Sequence, residues 1–306
     1  MIVVCGEALI DLVPDDATGE RWTAIPGGSP ANAAVALARL EVRTALLARL
    51  SGDSFGHRLT SHLVGNGVDL SLAVAASEPS SLAIVSLDES GAASYRFDID
   101  GTADWQWTEA DLPLTLPAAV QAIHAGSLAL ALAPGGPVLE GFLARSRSVS
   151  TICVDPNVRP SVDGDLSDVR AAVDRWCGLA DIIKASSDDV SLLFPDQDPE
   201  VAAKRWQSLG PAVVIVTLGA GGALAVTGEG TVRLPAPPTV VVDTVAAGDT
   251  FTAGLLASLH KAGALGGRLD TMAEATLRAA MRYGLQAAAI TCSRPGADPP
   301  WLAEMG

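Results

Sequence analysis

Apolar runs of strand length alternate with helix-patterned segments along most of this chain, and that alternation restricts the fold more than any other feature. After a first apolar strand, Val3–Ile10, Ser29-Pro30 opens a helix through Leu40, with serine as N-cap and proline at the first helical position. Thr44–Leu50 then reads as strand and Phe55–Gly65 as helix. Strands Ala122–Gly126, Thr151–Val154, Ile182–Lys184 and Ala212–Thr217 follow, interleaved with helices Val138–Arg145 and Val169–Cys177. Two long helices, Thr250–Ala262 and Met272–Thr291, close the chain. Strands separated by helices pair in parallel, so the pattern predicts an α/β domain over residues 1–306: a doubly wound, mostly parallel sheet flanked by helices.

One stretch departs from this. Ser81–Trp107 alternates with a period of two, with a Glu89-Ser90-Gly91 turn between Leu82–Asp88 and Ala92–Asp98, and holds no helix. Such strands do not fit inside a doubly wound sheet. We expect a small β-stranded lid from strands inserted at about 12–26 and 81–107, which the segment Arg21–Ile25 joins.

Composition narrows the partners. With 49% hydrophobic and 18% charged residues the chain can fill a large core. A formal net charge of −15 argues against a nucleic-acid or anionic-membrane surface, while leaving room for phosphates held locally by backbone N–H groups. The four cysteines form no Cys-x-x-Cys pair. No secretory leader or membrane-length apolar run is visible, so the expectation is a cytoplasmic protein.

Three motifs carry candidate chemistry. In Asp243-Thr-Val-Ala-Ala-Gly-Asp249, a β-branched run ends in a turn of small residues that enters a long helix. There the N–H groups of Ala246, Ala247, Gly248 and Asp249 are open to an anion. A carboxylate beside a phosphate is repulsive unless it serves a purpose, and proton abstraction from an attacking hydroxyl is one; capping the helix is the alternative for Asp249. In Gly27-Gly28-Ser29-Pro30-Ala31-Asn32, the glycines admit a ligand and Asn32 both donates and accepts, although an ordinary loop before a helix has the same appearance. Asp11, after strand Val3–Ile10, falls where open α/β sheets bind ligands, or is a plain loop aspartate. Third, Thr217-Leu-Gly219-Ala-Gly-Gly222 is a strand running into a glycine turn. It suits a nucleotide phosphate but also a simple hairpin, and it fails the dinucleotide fingerprint at Leu224.

Other classes are excluded. The three lysines, Lys184, Lys204 and Lys261, follow no glycine, so there is no P-loop, and none lies in a protein-kinase context. No Gly-x-Ser-x-Gly elbow exists, and the four histidines make no i, i+4 metal pair.

With these residues in view the sequence resembles the ribokinase-like, PfkB-type carbohydrate kinases over nearly its whole length. Asp243–Leu256 is similar to that family's C-terminal signature and Gly27–Ala34 to its N-terminal one. Asp155-Pro-Asn-Val-Arg159, His124-Ala-Gly-Ser127 and Arg294-Pro-Gly-Ala297 resemble the fructokinase branch, and Gly101-Thr-Ala-Asp104 has a counterpart near the end of the lid there.

The resemblance implies an ATP-dependent kinase acting on a primary hydroxyl of a neutral sugar, with fructose to fructose 6-phosphate as first choice. Ribose, ketodeoxygluconate and adenosine are alternative acceptors, and a non-catalytic sugar- or nucleotide-binding regulator is a further reading that Asp249 opposes. It implies Asp249 as base and Ala246, Ala247 and Gly248 as anion hole. Asp11, Gly27, Gly28, Asn32 and Arg159 would hold the sugar; Lys184, Ser186, Thr217, Gly219 and Gly222 would hold ATP. Mg²⁺ would be bound mostly through phosphates and water, with Asp189 as a water-mediated contact and K⁺ at carbonyls of Asp243 and Val245. A homodimer through the lid is also implied. Three departures stand out. Glu41 and Ser51 replace residues that are usually small. Ala246 replaces a common glycine, which is tolerable at negative φ. Ser186-Ser-Asp-Asp189 stands in place of Asn-x-x-Glu.

Overall fold

The computed structural model describes residues 1–15, 20–87 and 93–306. The first half contains strands β1 (Ile2–Cys5), β2 (Leu9–Pro14) and β3 (Trp22–Gly27), then helix α1 (Ser29–Arg39). Next come β4 (Thr44–Leu47), β5 (Arg49–Ser51), α2 (Ser54–Gly65), β6 (Val74–Ala76), β7 (Leu82–Leu87) and β8 (Ala93–Asp98). After β9 (Ala122–Gly126) the chain alternates through α3 (Ser127–Ala131), α4 (Gly135–Ser146), β10 (Thr151–Asp155), α5 (Pro160–Asp163), α6 (Leu166–Leu179) and β11 (Ile182–Ser186). Helices α7 (Ser187–Leu193) and α8 (Pro199–Gln207) precede β12 (Val213–Thr217), β13 (Ala223–Thr227) and β14 (Gly230–Leu234), and α9 (Ala247–Lys261) and α10 (Glu274–Cys292) finish the fold.

The main sheet has eight strands in the order β14-β13-β12-β11-β10-β9-β1-β4. It is parallel from β4 to β12, and the β12–β13–β14 edge is antiparallel. Strand alternation sorts side chains into two apolar layers. Ile2, Val4, Cys153 and Ile215 face the layer built with α1, α9 and α10. Val3, Cys5, Ile152 and Val214 face the layer that contains Phe142, Trp176 and Trp206. Because both faces are covered, these strands are continuously apolar. Among the described residues no helix is long and apolar enough to cross a membrane.

A second sheet, β3-β2-β7-β8, stands apart from the first. Here β2 pairs antiparallel with β3 and parallel with β7, and β7 pairs antiparallel with β8. The turn expected at Glu89–Gly91 lies outside the described residues.

Several expected elements are corrected. Val3–Ile10 is not one strand. It breaks at Gly6, whose φ of 151° and contact with Pro30 exclude a side chain, and the chain then crosses into the second sheet. Asp11 therefore belongs to β2 rather than to the end of a central strand. Thr44–Leu50 likewise divides into β4 and β5. Strand structure does not continue to residue 107: β8 ends at Asp98, and Trp105 and Trp107 are buried in the main core. The β-branched run Thr239–Val242 is an irregular exposed segment, with Val240 83% exposed.

Candidate active site

Four segments converge at the carboxyl ends of the central strands. Helix α9 begins after a left-handed residue: Ala246, the N-cap, has φ 58° and ψ 11°. The negative φ that would make alanine harmless here is absent, so this position carries the Cβ strain that glycine avoids. Glu41, one of the two other departures from a small residue, also has positive φ, at 60°. Within the turn Ala247 N donates to the Thr244 carbonyl at 3.2 Å, so that N–H is not open as expected, and Asp249 stands in the first turn of the helix.

Both carboxylate oxygens of Asp249 are engaged from α1. Ser29 Oγ donates to Oδ1 at 2.6 Å, and Asn32 Nδ2 donates to Oδ2 at 3.0 Å. The cap expected of Ser29 is corrected by this contact. Gly28 is the N-cap of α1, without a side-chain cap hydrogen bond, and the Ser29 hydroxyl serves Asp249 across 220 residues of sequence. Burial drives the Asp249 pKa above the ordinary carboxylate value, against the opposing pull of Ser29, Asn32 and Lys184.

Asp11 approaches from β2. A side chain on Gly27 would collide with its Oδ2 at 2.2 Å, so glycine makes space for the carboxylate. Gly28, at φ 99°, lies against the Glu7 carbonyl at 2.8 Å from the position of a Cβ. The Asp11 pKa is pushed up to about 6, first by burial and then by the Asp249 charge.

On the other side of the turn lies Lys184, in the middle of β11 and almost fully buried. Its Nζ donates to Asp155 Oδ2 at 2.7 Å, and a methyl on Gly248 would come within 2.8 Å of Nζ. Asp155 Oδ1 is buried with no hydrogen-bond partner. Burial lowers the Lys184 pKa, but Asp155 and the charges of Asp189 and Asp249 outweigh it, so the net direction is up.

Ser186 and Asp189 form a reciprocal capping box on α7. Asp189 Oδ2 accepts from Ser186 N and Oγ, both at 2.7 Å, and Oδ1 accepts from Val158 N at 2.8 Å. These contacts give Ser186 and Asp189 a part in the fold, whatever they do at the nucleotide or the metal. Among the described residues no cluster of three or more His, Cys, Asp or Glu side chains could hold a metal ion.

Thr217 ends β12, and Gly219, at φ 54°, faces open space. Gly222 is required by the hairpin itself, since a Cβ would lie 2.0 Å from the Leu234 carbonyl. Exposed Arg159 precedes α5, which packs against β8 of the small sheet. Asp243 secures its own loop, with Oδ1 accepting from Val245 N at 3.0 Å and Oδ2 from Gly296 N at 2.8 Å. Sequence reasoning missed Ser29 as a partner of Asp249 and Asp155 as the partner of Lys184. A polar residue ending each of the apolar runs Thr151–Asp155 and Ile182–Lys184 was the available signal for that ion pair.

Comparison with known proteins shows the family. Residues 1–304 match the family model described as pfkB family carbohydrate kinase. A fructokinase of Rhizobium leguminosarum bv. trifolii is 39% identical over 261 residues, 85% of this chain and 79% of the relative. An aminoimidazole riboside kinase of Salmonella typhimurium is 32% identical, covering 85% of this chain and 81% of that one. Among solved structures, a Vibrio cholerae fructokinase double mutant in a fructose-, ADP- and potassium-bound form superposes with a TM-score of 0.84 at 29% identity, over 97% of this chain and 93% of its own.

Proposed function

Because this chain belongs to the pfkB family of carbohydrate kinases, and is an ATP-dependent sugar kinase, we propose that it phosphorylates a primary hydroxyl of a neutral sugar, fructose first, to give fructose 6-phosphate. The observation that carries this reading is Asp249, held by Ser29 and Asn32 at the start of α9 and faced by Asp11.

A carboxylate oxygen has more than one lone pair, so Asp249 can keep both contacts and still accept a sugar hydroxyl. In the proposed step Asp249 takes that hydroxyl's proton as the oxygen bonds to the γ-phosphorus. The bond between the γ-phosphorus and the bridging oxygen breaks, and ADP leaves. The N–H groups of Ala246 and Gly248 meet charge on the transferring phosphoryl, backed by the α9 dipole and Lys184. Asp11 and Asn32 hold sugar hydroxyls, with Gly27, Gly28 and Arg159 at the edge of that pocket, while Thr217 and Gly219 border the nucleotide.

Mg²⁺ would supply charge neutralisation on the phosphates. The lack of a carboxylate cage among the described residues suits an ion bound through phosphates and water, and Asp155, with its unpartnered oxygen, fits a water-mediated contact better than Asp189. Backbone carbonyls of Asp243 and Val245 would take a monovalent cation such as K⁺. The small sheet acts as a lid that keeps water from the γ-phosphate; its pairing with a second copy would make a homodimer, and the site of action would be the cytoplasm.

The relative that acts on aminoimidazole riboside favours a nucleoside as the second acceptor to consider. ADP release measured with fructose, ribose, ketodeoxygluconate, adenosine and aminoimidazole riboside decides between them. Fructose should give the largest kcat/KM; a nucleoside giving a larger one would replace fructose in this proposal.

A further inference from the structure

Three strands of the small sheet are rooted on a single buried carboxylate. Asp104, 2% exposed, lies a few residues beyond β8. Its Oδ1 accepts from Ala8 N at 2.9 Å, immediately before β2, and its Oδ2 accepts from Ser81 Oγ at 2.6 Å, immediately before β7. The Ser81 hydroxyl also lies 2.6 Å from Thr102 Oγ1, which donates at 2.8 Å to the carbonyl of Ile99, the residue after β8. Backbone bonds from Ile10 N to Ser81 O and from Ala103 N to Pro79 O close the knot. Arg49 fixes it from below: Nε donates to Ala103 O at 3.0 Å, while the guanidinium pairs with Asp111 and Glu78.

We propose that Asp104 is a positioning residue for the acceptor sugar, holding the lid roots so that Asp11 stays opposite Asp249. Asp11 is three residues beyond Ala8 on β2, so a shift at Ala8 N is carried directly to its carboxylate. Stability alone is a weak reason for a buried carboxylate, since desolvation offsets most of what its contacts return. Burial in fact pushes Asp104 up to about 6, against the pull of Ser81, Ala8 and Arg49. The benefit lies in geometry: one rigid acceptor joins chain segments more than ninety residues apart. The inference rests on reading the small sheet as the lid.

The test compares Asp104→Ala, Asp104→Asn and Ser81→Ala with the parent chain, measuring KM for fructose and for ATP, thermal melting, and amide exchange in Leu82–Leu87 and Ala93–Asp98 with and without fructose. If a smaller share of molecules holds the sugar-competent lid, apparent sugar affinity falls by that share. Asp104→Ala should raise the fructose KM by roughly ten-fold or more, the scale of losing hydrogen bonds to a charged acceptor, with ATP KM within about two-fold of the parent. Asp104→Asn keeps an acceptor for Ala8 N and should restore most of that loss. Ser81→Ala removes one link only and should shift the fructose KM by a few-fold, which preserves the test if Asp104→Ala does not fold. Lower melting with both KM values unchanged, or both raised equally, would overturn the proposal while leaving the lid intact. Parent lid strands whose exchange ignores fructose would overturn the lid reading and this inference together.

Discussion

Replacing Asp249 by asparagine separates the chemistry of this carboxylate from its place in the fold. The carboxylate accepts from Ser29 Oγ on one side and Asn32 Nδ2 on the other. An amide in its place can turn its oxygen to Asn32 and its nitrogen to Ser29, whose hydroxyl rotates to accept. That orientation retains both hydrogen bonds, whereas the opposite one faces two donors together and costs about 1–3 kcal/mol. The folded state also loses a carboxylate whose ionisation burial opposes, so the melting temperature should stay level or rise slightly. Nothing in the amide can take the proton. Loss of a general base costs about 10²–10⁴ in turnover, or roughly 3–5 kcal/mol of barrier. ATP affinity should hold or improve, since a negative charge has been removed beside the anion-binding turn. ADP release at saturating ATP and fructose, nucleotide binding by calorimetry and a melting curve together read all three effects. A folded Asp249→Asn protein with turnover within about ten-fold of the parent would refute Asp249 as the base.

Three further outcomes follow from neighbouring groups. Gly248→Ala places a methyl 2.8 Å from Lys184 Nζ, and because that ammonium is pinned by Asp155 it cannot simply retreat; turnover should fall by roughly ten-fold with a smaller change in melting, the scale of overpacking strain. On the acid side, kcat/KM should fall as protons bind Asp11 and Asp249, whose raised pKa values mean that the active, ionised form is lost earlier than for ordinary carboxylates. Asp11 should put this limb near 6, with Asp249 raised in the same direction, and a limb near 4 would contradict the burial of Asp11. Ala246→Gly relieves the left-handed φ of 58° without moving the turn, so the melting temperature should rise by about 2 °C with activity retained, and a fall in both would show that the alanine methyl is packed usefully.

Much of the fold was readable because periodicity reports burial, and most strands of the main sheet are buried on both faces. What periodicity does not report is where an apolar run changes sheets. Val3–Ile10 reads as one strand, because the glycine that breaks it leaves no trace in hydrophobicity. The parallel pairing of β2 with β7 joins segments some seventy residues apart and has no local signal. The same limit governs the site. Asp249 and the proposed anion-binding turn stood out because small residues, a helix start and a carboxylate occur within one heptad. Ser29 was misread because a serine that caps a helix and one that turns to a distant carboxylate have the same local sequence. The sign of φ at Ala246 depends on the path of the turn, not on its composition. Ser186-Ser-Asp-Asp189 carries the spacing of a capping box, and the geometry shows that the cap is what it forms.

The charge of the whole chain, −15, is a poor guide to what this centre can bind, and the arrangement of the site explains why. Asp155, Asp189 and Asp249 stand around one ammonium, Lys184, and Asp11 faces Asp249, so the side chains alone repel a polyanion. Phosphate must therefore be met chiefly by neutral donors. The first N–H groups of α9 are such donors, and the dipole of a fifteen-residue helix adds to them over the short range at which they act. Lys184 then has a specific place rather than a general effect: Asp155 holds it against Gly248, directly behind those donors. Burial completes the balance by raising the pKa values of Asp11 and Asp249, which lowers the cost of bringing a phosphate beside them and makes the base better matched to a hydroxyl proton. The small residues at 246–248 follow from the same requirement, since side chains there would separate the anion from the backbone donors or displace the lysine. At the proposed site, selection of an anion would thus be a matter of local backbone geometry, and an acidic surface is compatible with it.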